Sequence, residues 1–231
     1  MLPKIIDVSV SIIETSTKQD GASFATGPRA YYNPGDLYVR ISAVSSHTVT
    51  ERDRMTSRLD APVHAGTHVD APLHRVKDGA SINDIPLQTF MGRMRILALD
   101  LKTSNSVIDA GHLAEAGAGS EKIDRLMIKT GWFKKLGTPE YYGNAAPRLS
   151  FDAVQWIVSK GVKLLATDFV IDSPTELDLP LQRKLLDSGV CILANLTNLD
   201  QITKSEVNIL ALPVKIEGVE AAMCRAIVME D

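Results

Sequence analysis

The stretch LDAPVHAGTHVDAPLH, residues 59–74, holds three of the chain's five histidines. His64, His68, Asp70 and His74 follow one another at intervals of 4, 2 and 4, with Gly66 and Pro72 among them. This restricts the backbone. On a helix His64 and His68 would share a face but Asp70 would not, and Gly66 and Pro72 both disfavour a helix. On an extended chain all four positions have the same parity and point to one side. A straight strand would still separate His64 from His68 by about 13 Å, whereas two ligands of one ion lie roughly 3 Å apart. The segment must therefore bend between them, and Gly66, lacking a Cβ, is the residue that reaches φ > 0 cheaply. Pro72 then fixes the path to His74.

Two imidazoles and a carboxylate, His64, His68 and Asp70, make a metal-ligand set, with His74 close by. Nitrogen and oxygen donors suit Zn²⁺, Mn²⁺ or Fe²⁺. No cysteine lies nearby, so the thiolate pattern of structural zinc is absent. Three protein ligands leave positions open for water and substrate, as a catalytic ion requires. The bland alternative is a histidine-rich turn with satisfied hydrogen bonds. Asp60 reads as a turn residue or a spare ligand.

The rest of the composition is that of an ordinary globular protein. Of 231 residues, 45% are hydrophobic and 23% charged, so disorder or a fibrous repeat is not expected, and the chain reads as one domain over residues 1–231. The net charge is -3 with scattered basic residues, which argues against a nucleic-acid or anionic-membrane partner. The N-terminal stretch MLPKIIDVSVSIIETS does not read as a secretion signal, and no membrane-spanning run is expected. Cys191 and Cys224 sit in apolar runs and read as core thiols. A cytoplasmic location follows as an expectation.

Strands are expected at residues 5–13, 38–49, 93–101, 125–130, 162–167, 190–196, 209–216 and 222–228, from alternation and β-branched content. Helices are expected at 107–116, at 151–159 with Ser150 as cap and Gly161 as stop, and at 179–188. Residues 15–36, with Phe24, Tyr31 and Tyr32, form a long loop of the kind that often serves as a lid. The alternation of helix and strand in the second half indicates an α/β protein.

HAGTHVDAPLH resembles the H-x-G-T-H-x-D-x-P-x-H motif of the cyclase-like metal-dependent hydrolases, a family that includes kynurenine formamidases and isatin hydrolases. KTGWFKKLGTPEYY, LSFDAVQWIVSKGVKLLATDFVIDSP, ILANLTNLD and ALPVKIEG follow in the family's order. The resemblance implies a swivelling β/β/α fold, with a central mixed sheet flanked by helices, and a homodimer or higher homo-oligomer. It implies hydrolysis of an amide, lactam or similar acyl bond of a small molecule, with Zn²⁺ or Mn²⁺ held by His64, His68 and Asp70. His74 matches a fourth histidine that ligates a second metal or transfers a proton. Two positions depart from the family. Gln182 and Ala194 stand where relatives usually carry a histidine and a glutamate, so the carboxylate that would bridge two metals is missing. The C-terminal GVEAAMCRA also lacks the family's usual glycine-rich form.

One metal suffices for the mechanism these residues suggest. The ion activates water and polarises a carbonyl, while His74 moves the proton to the leaving nitrogen. Gln182 can orient substrate by hydrogen bonds but cannot act as acid or base. Trp132, Phe133, Tyr141 and Tyr142 are candidates for an aromatic substrate wall, Trp132 foremost; a core role is the alternative for each. Asp168 and Asp172 lie near a strand end, where α/β sites gather, though surface or capping roles suit both better. A metal-binding scaffold without hydrolase activity, or a metal-dependent lyase or isomerase, would show the same pattern.

Overall fold

The structure is a computed structural model that describes residues 3–12, 39–45, 55–101, 104–117, 121–136, 138–142, 145–171 and 181–230. The strands are β1 (Lys4–Asp7), β2 (Arg40–Ser45), β3 (Thr56–Asp60), β4 (His68–Asp70), β5 (Met91–Ala98), β6 (Val107–Ile108), β7 (Arg125–Lys129), β8 (Arg148–Leu149), β9 (Leu164–Thr167), β10 (Cys191–Ala194), β11 (Glu206–Leu210), β12 (Ala221–Met223) and β13 (Ile227–Glu230). The α-helices are α1 (Ala110–Glu115), α2 (Phe151–Ser159) and α3 (Leu181–Asp187).

Nine strands form one mixed sheet in the order β1-β13-β11-β5-β7-β9-β10-β4-β12. The centre, β5-β7-β9-β10, is parallel, and the strands on both sides of it run antiparallel. Side chains alternate across it as a pleated strand requires. On β7, Met127 enters one core while Leu126 and Ile128 enter the other; on β10, Leu193 and Ile192 divide in the same way. Buried residues of α1, α2 and α3 all belong to the second core. The expected α/β fold with a central mixed sheet and flanking helices is therefore present, with these helices on one face.

Local signals account for several elements. Ser150 Oγ accepts from the Ala153 N–H at 3.2 Å, capping α2, and Gly161 just beyond it has φ +78°. The helix expected at 107–116 is shorter: Val107 and Ile108 pair with Arg148 and Leu149 as strands, and Asp109 caps α1 by accepting from the His112 N–H at 2.9 Å.

Other boundaries move for long-range reasons. The strand expected at 209–216 lies at Glu206–Leu210, fixed by pairing with β5 on one side and β13 on the other. The single strand expected at 222–228 divides into β12, at one edge of the sheet, and β13, next to β1 on the opposite side. β1 stops at Asp7, where the Asp7 carboxylate accepts from the Ser9 N–H. β2, within the strand expected at 38–49, pairs with β3 in a two-stranded ribbon with an irregularity at Ala43/Ser45; the sequence pattern gives no expectation for β3. The loop at 15–36 and Asp172 lie outside the described residues, as does the side chain of Tyr142. No helix among the described residues is long and apolar enough to cross a membrane.

Candidate metal centre

β4 carries His68 and Asp70 between β10 and β12, with Ala194 and Met223 opposite His68 and Ile192 and Ala221 opposite Asp70. The bend before it occurs where the sequence requires it: Gly66 has φ +64°, and a Cβ there would meet Ile12 Cγ1 at 2.9 Å. Any other residue would be both strained and crowded. The bend is pinned from several sides. Asn195 Nδ2 donates to the Gly66 carbonyl at 3.0 Å, Thr67 Oγ1 donates to the Asn195 carbonyl at 2.6 Å, and the Val10 N–H donates to Thr67 Oγ1 at 2.9 Å.

After β4 the chain enters a short 3-10 turn, Pro72–His74. Gly79 seals it. A Cβ at Gly79 would lie 2.8 Å from the Pro72 carbonyl carbon and 2.9 Å from Leu73 N, both backbone atoms. This close approach delivers the His74 ring beside His64, centroid to centroid 4.6 Å.

The donors converge on Asp70. His64 Nδ1 lies 2.9 Å and His68 Nε2 3.4 Å from Asp70 Oδ1. His68 Nδ1 faces the Gly66 carbonyl at 2.9 Å; donation there leaves the Nε2 lone pair directed at the cluster. Candidate ligand atoms of His64, Asp70 and His74 lie within 4.8 Å of one another. Gln182, in the first turn of α3, donates from Nε2 to Asp70 Oδ2 at 3.1 Å and accepts from Arg75 Nε at 2.8 Å.

Asp70 Oδ1 is buried and has no aligned hydrogen-bond donor among the described residues. A native interior seldom tolerates such an atom without cause, and a cation at this point would satisfy it. The donor set and this orphaned oxygen together fit a divalent metal. Burial opposes the charge on Asp70, but the neighbouring His68 and His64 outweigh it and hold the carboxyl far below its usual range. His64 is likewise desolvated, yet Asp70 and Glu220 raise its pKa. His74 is driven the other way: burial lowers its pKa to about 4, with Asp70 opposing. It is therefore a neutral imidazole at neutral pH.

The structure thus brings His64, His68, Asp70, His74 and Gln182 together, with Gln182 bonded to a cluster carboxylate. Trp132 packs against the helix-side core, and its Nε1 donates to the Tyr141 carbonyl at 3.1 Å. Phe133 and Tyr141 are core residues, 8% and 1% exposed. Asp168 is fully buried, not on the surface: it accepts from Thr130 N, Thr130 Oγ1 and Gly131 N at 2.7 to 3.1 Å and so shapes the turn before Trp132. Asp60 ends β3 opposite Arg40. Cys191 and Cys224 are free, and burial pushes both thiols up to about 12.

Sequence reasoning missed Glu220. Its Oε1 lies 3.1 Å from His64 Nε2 although 156 positions separate them. Nothing in GVEAAM marks it; only the pairing of β12 with β4 brings it to the cluster.

Known proteins resemble this chain in sequence and in fold. The kynurenine formamidase of Salinibacter ruber is 28% identical over 209 residues, covering 90% of this chain and 95% of that protein. The kynurenine formamidase of Erythrobacter litoralis is 30% identical over 174 residues, covering 75% and 76%. Isatin hydrolase A from Labrenzia aggregata, solved with benzyl benzoate bound, superposes with a TM-score of 0.81 at 20% identity, covering 99% of this chain and 94% of that one. The signature of the "Putative cyclase" family matches residues 6–172, and this chain belongs to the Cyclase family.

Proposed function

We propose that this protein is a metal-dependent hydrolase that cleaves an amide, lactam or formamide bond of a small molecule. The observation that carries this reading is Asp70 Oδ1, buried, with no aligned hydrogen-bond donor among the described residues and bracketed by the imidazoles of His64 and His68. Bacterial relatives named kynurenine formamidase and an isatin hydrolase of the same fold support the bond type.

In this reading His64, His68 and Asp70 hold one Zn²⁺ or Mn²⁺, which supplies a Lewis acid for activating water and polarising a carbonyl. Gln182 fixes Asp70 by binding Oδ2, so that Oδ1 stays turned to the imidazoles. His74, neutral at working pH, accepts the proton released on attack and returns it to the leaving nitrogen. Trp132 forms part of the substrate wall, positioned by Asp168 through Thr130 and Gly131. The protein works as one domain, in the cytoplasm, as a homodimer or larger homo-oligomer; the last point is read by size-exclusion chromatography with light scattering.

A second ligand set has an observation of its own. The mutual proximity of His64, Asp70 and His74 within 4.8 Å would place His74 on the ion and leave His68 as its support.

Turnover against a panel of N-formyl arylamines and cyclic amides tests the reading. Hydrolysis of at least one member is expected to vanish on chelation and return with Mn²⁺ or Zn²⁺. A protein that binds the metal fully and cleaves none of the panel would fit a lyase or an inactive scaffold instead.

A further inference from the structure

His64 is held at both ring nitrogens. Nδ1 points to Asp70 Oδ1 at 2.9 Å, on the side where the other donors converge. Nε2 faces Glu220 Oε1 at 3.1 Å. The two carboxylates differ in setting: the Asp70 side chain is 3% exposed and that of Glu220 38%. Glu220 is in turn fixed at its backbone, because its carbonyl accepts the Ala71 N–H at 2.8 Å directly after β4. Glu220 is thus anchored to the same short segment that carries the candidate ligands.

A histidine that binds a metal through one nitrogen usually donates its other N–H to a carboxylate or carbonyl, which fixes the ring and raises its basicity. His68 has such an acceptor in the Gly66 carbonyl. We infer that Glu220 does this for His64: it is a positioning residue that takes the Nε2–H, presents Nδ1 to the ion and strengthens metal binding. The inference rests on the metal reading above. It also bears on Ala194. From β10, opposite His68, this chain offers a methyl group; from the β12 side it offers a carboxylate beside His64. The two sites are not equivalent, since Glu220 reaches Nε2 of a ligand rather than the face shared with Asp70.

The test is calorimetric titration of metal-free protein with Mn²⁺, and separately with Zn²⁺, for wild type, Glu220→Ala and Glu220→Gln, each first shown by circular dichroism to be folded. Glu220→Ala is expected to bind at unchanged stoichiometry with affinity about 10- to 100-fold weaker. Glu220→Gln, whose amide oxygen still accepts the Nε2–H, is expected to recover most of the loss. Glu220→Ala binding within twofold of wild type would overturn the positioning role. So would Glu220→Gln as weak as Glu220→Ala, which would make the carboxylate a direct ligand. Wild-type protein that binds neither ion would overturn the metal reading itself, and this inference with it.

Discussion

Gln182 donates to one oxygen of Asp70 and leaves the other to the imidazoles: Nε2 to Oδ2 is 3.1 Å, while Oδ1 faces His64 and His68. The amide of Gln182 thus binds the carboxylate rather than offering a nitrogen lone pair. Ala194 stands opposite His68 and offers only a methyl group. Placing a histidine and a carboxylate there together, in Gln182→His with Ala194→Glu, is expected to raise bound metal from about one to about two equivalents per chain, read by elemental analysis. Unchanged stoichiometry in a folded double variant would show that these two positions do not set the metal count.

His74→Ala separates proton transfer from ligation. The variant is expected to keep its metal and to lose about 10²- to 10⁴-fold in turnover, the usual contribution of a general acid–base group. Metal loss alongside rate loss would assign His74 to the ligand set with His64 and Asp70. Wild-type turnover would remove His74 from the chemistry altogether.

Gly79→Ala tests how the His74 turn is held. The added Cβ would press on the backbone of Pro72 and Leu73, which cannot move aside as a side-chain tip can. Overpacking of this kind costs typically 1–3 kcal/mol. A lowered melting temperature, with turnover falling more than metal occupancy, is expected; kinetics and elemental analysis of one preparation read both. Unchanged turnover in the folded variant would show that the turn tolerates displacement.

Stability in acid depends on Glu230 at the end of β13. Its side chain is nearly buried, which by itself raises the pKa, but N–H groups of Thr203 and Lys204 at 2.6 and 3.0 Å and Lys4 at 3.3 Å outweigh this and bring it to about 2. A folded pKa below the unfolded one gives stability that is complete above about 4.5 and is lost as pH falls towards 2. Glu230→Gln is expected to be less stable at pH 7 by about 1–3 kcal/mol, to melt lower, and to show a flatter pH dependence between 4.5 and 2. Thermal melts across that range measure it; parallel curves for wild type and variant would remove Glu230 as the cause.

Parity and one glycine made the centre of the site legible in the sequence. His68 and Asp70 share a strand face because they are two apart, and Gly66 bends because nothing else there can. The Ser150 cap and the Gly161 stop were equally local, and α2 followed. Glu220 and the Gln182–Asp70 bond were not legible, since each joins elements more than 100 positions apart through strand pairing or helix packing. The division of residues 222–228 into β12 and β13 escaped for the same reason: both halves alternate alike, and only their partners, β4 for one and β11 and β1 for the other, distinguish them. Trp132 follows the Thr-Gly turn that suggested it, and the bond from its indole N–H to the Tyr141 carbonyl, which fixes the ring, was not legible in the sequence.

The central claim is that His64, His68 and Asp70 hold one divalent ion. Elemental analysis of purified wild type and His68→Ala tests it most directly. About one equivalent of Zn²⁺ or Mn²⁺ per wild-type chain, and none in folded His68→Ala, is the result the claim requires. Full occupancy in His68→Ala would contradict it and assign the ion to His64, Asp70 and His74.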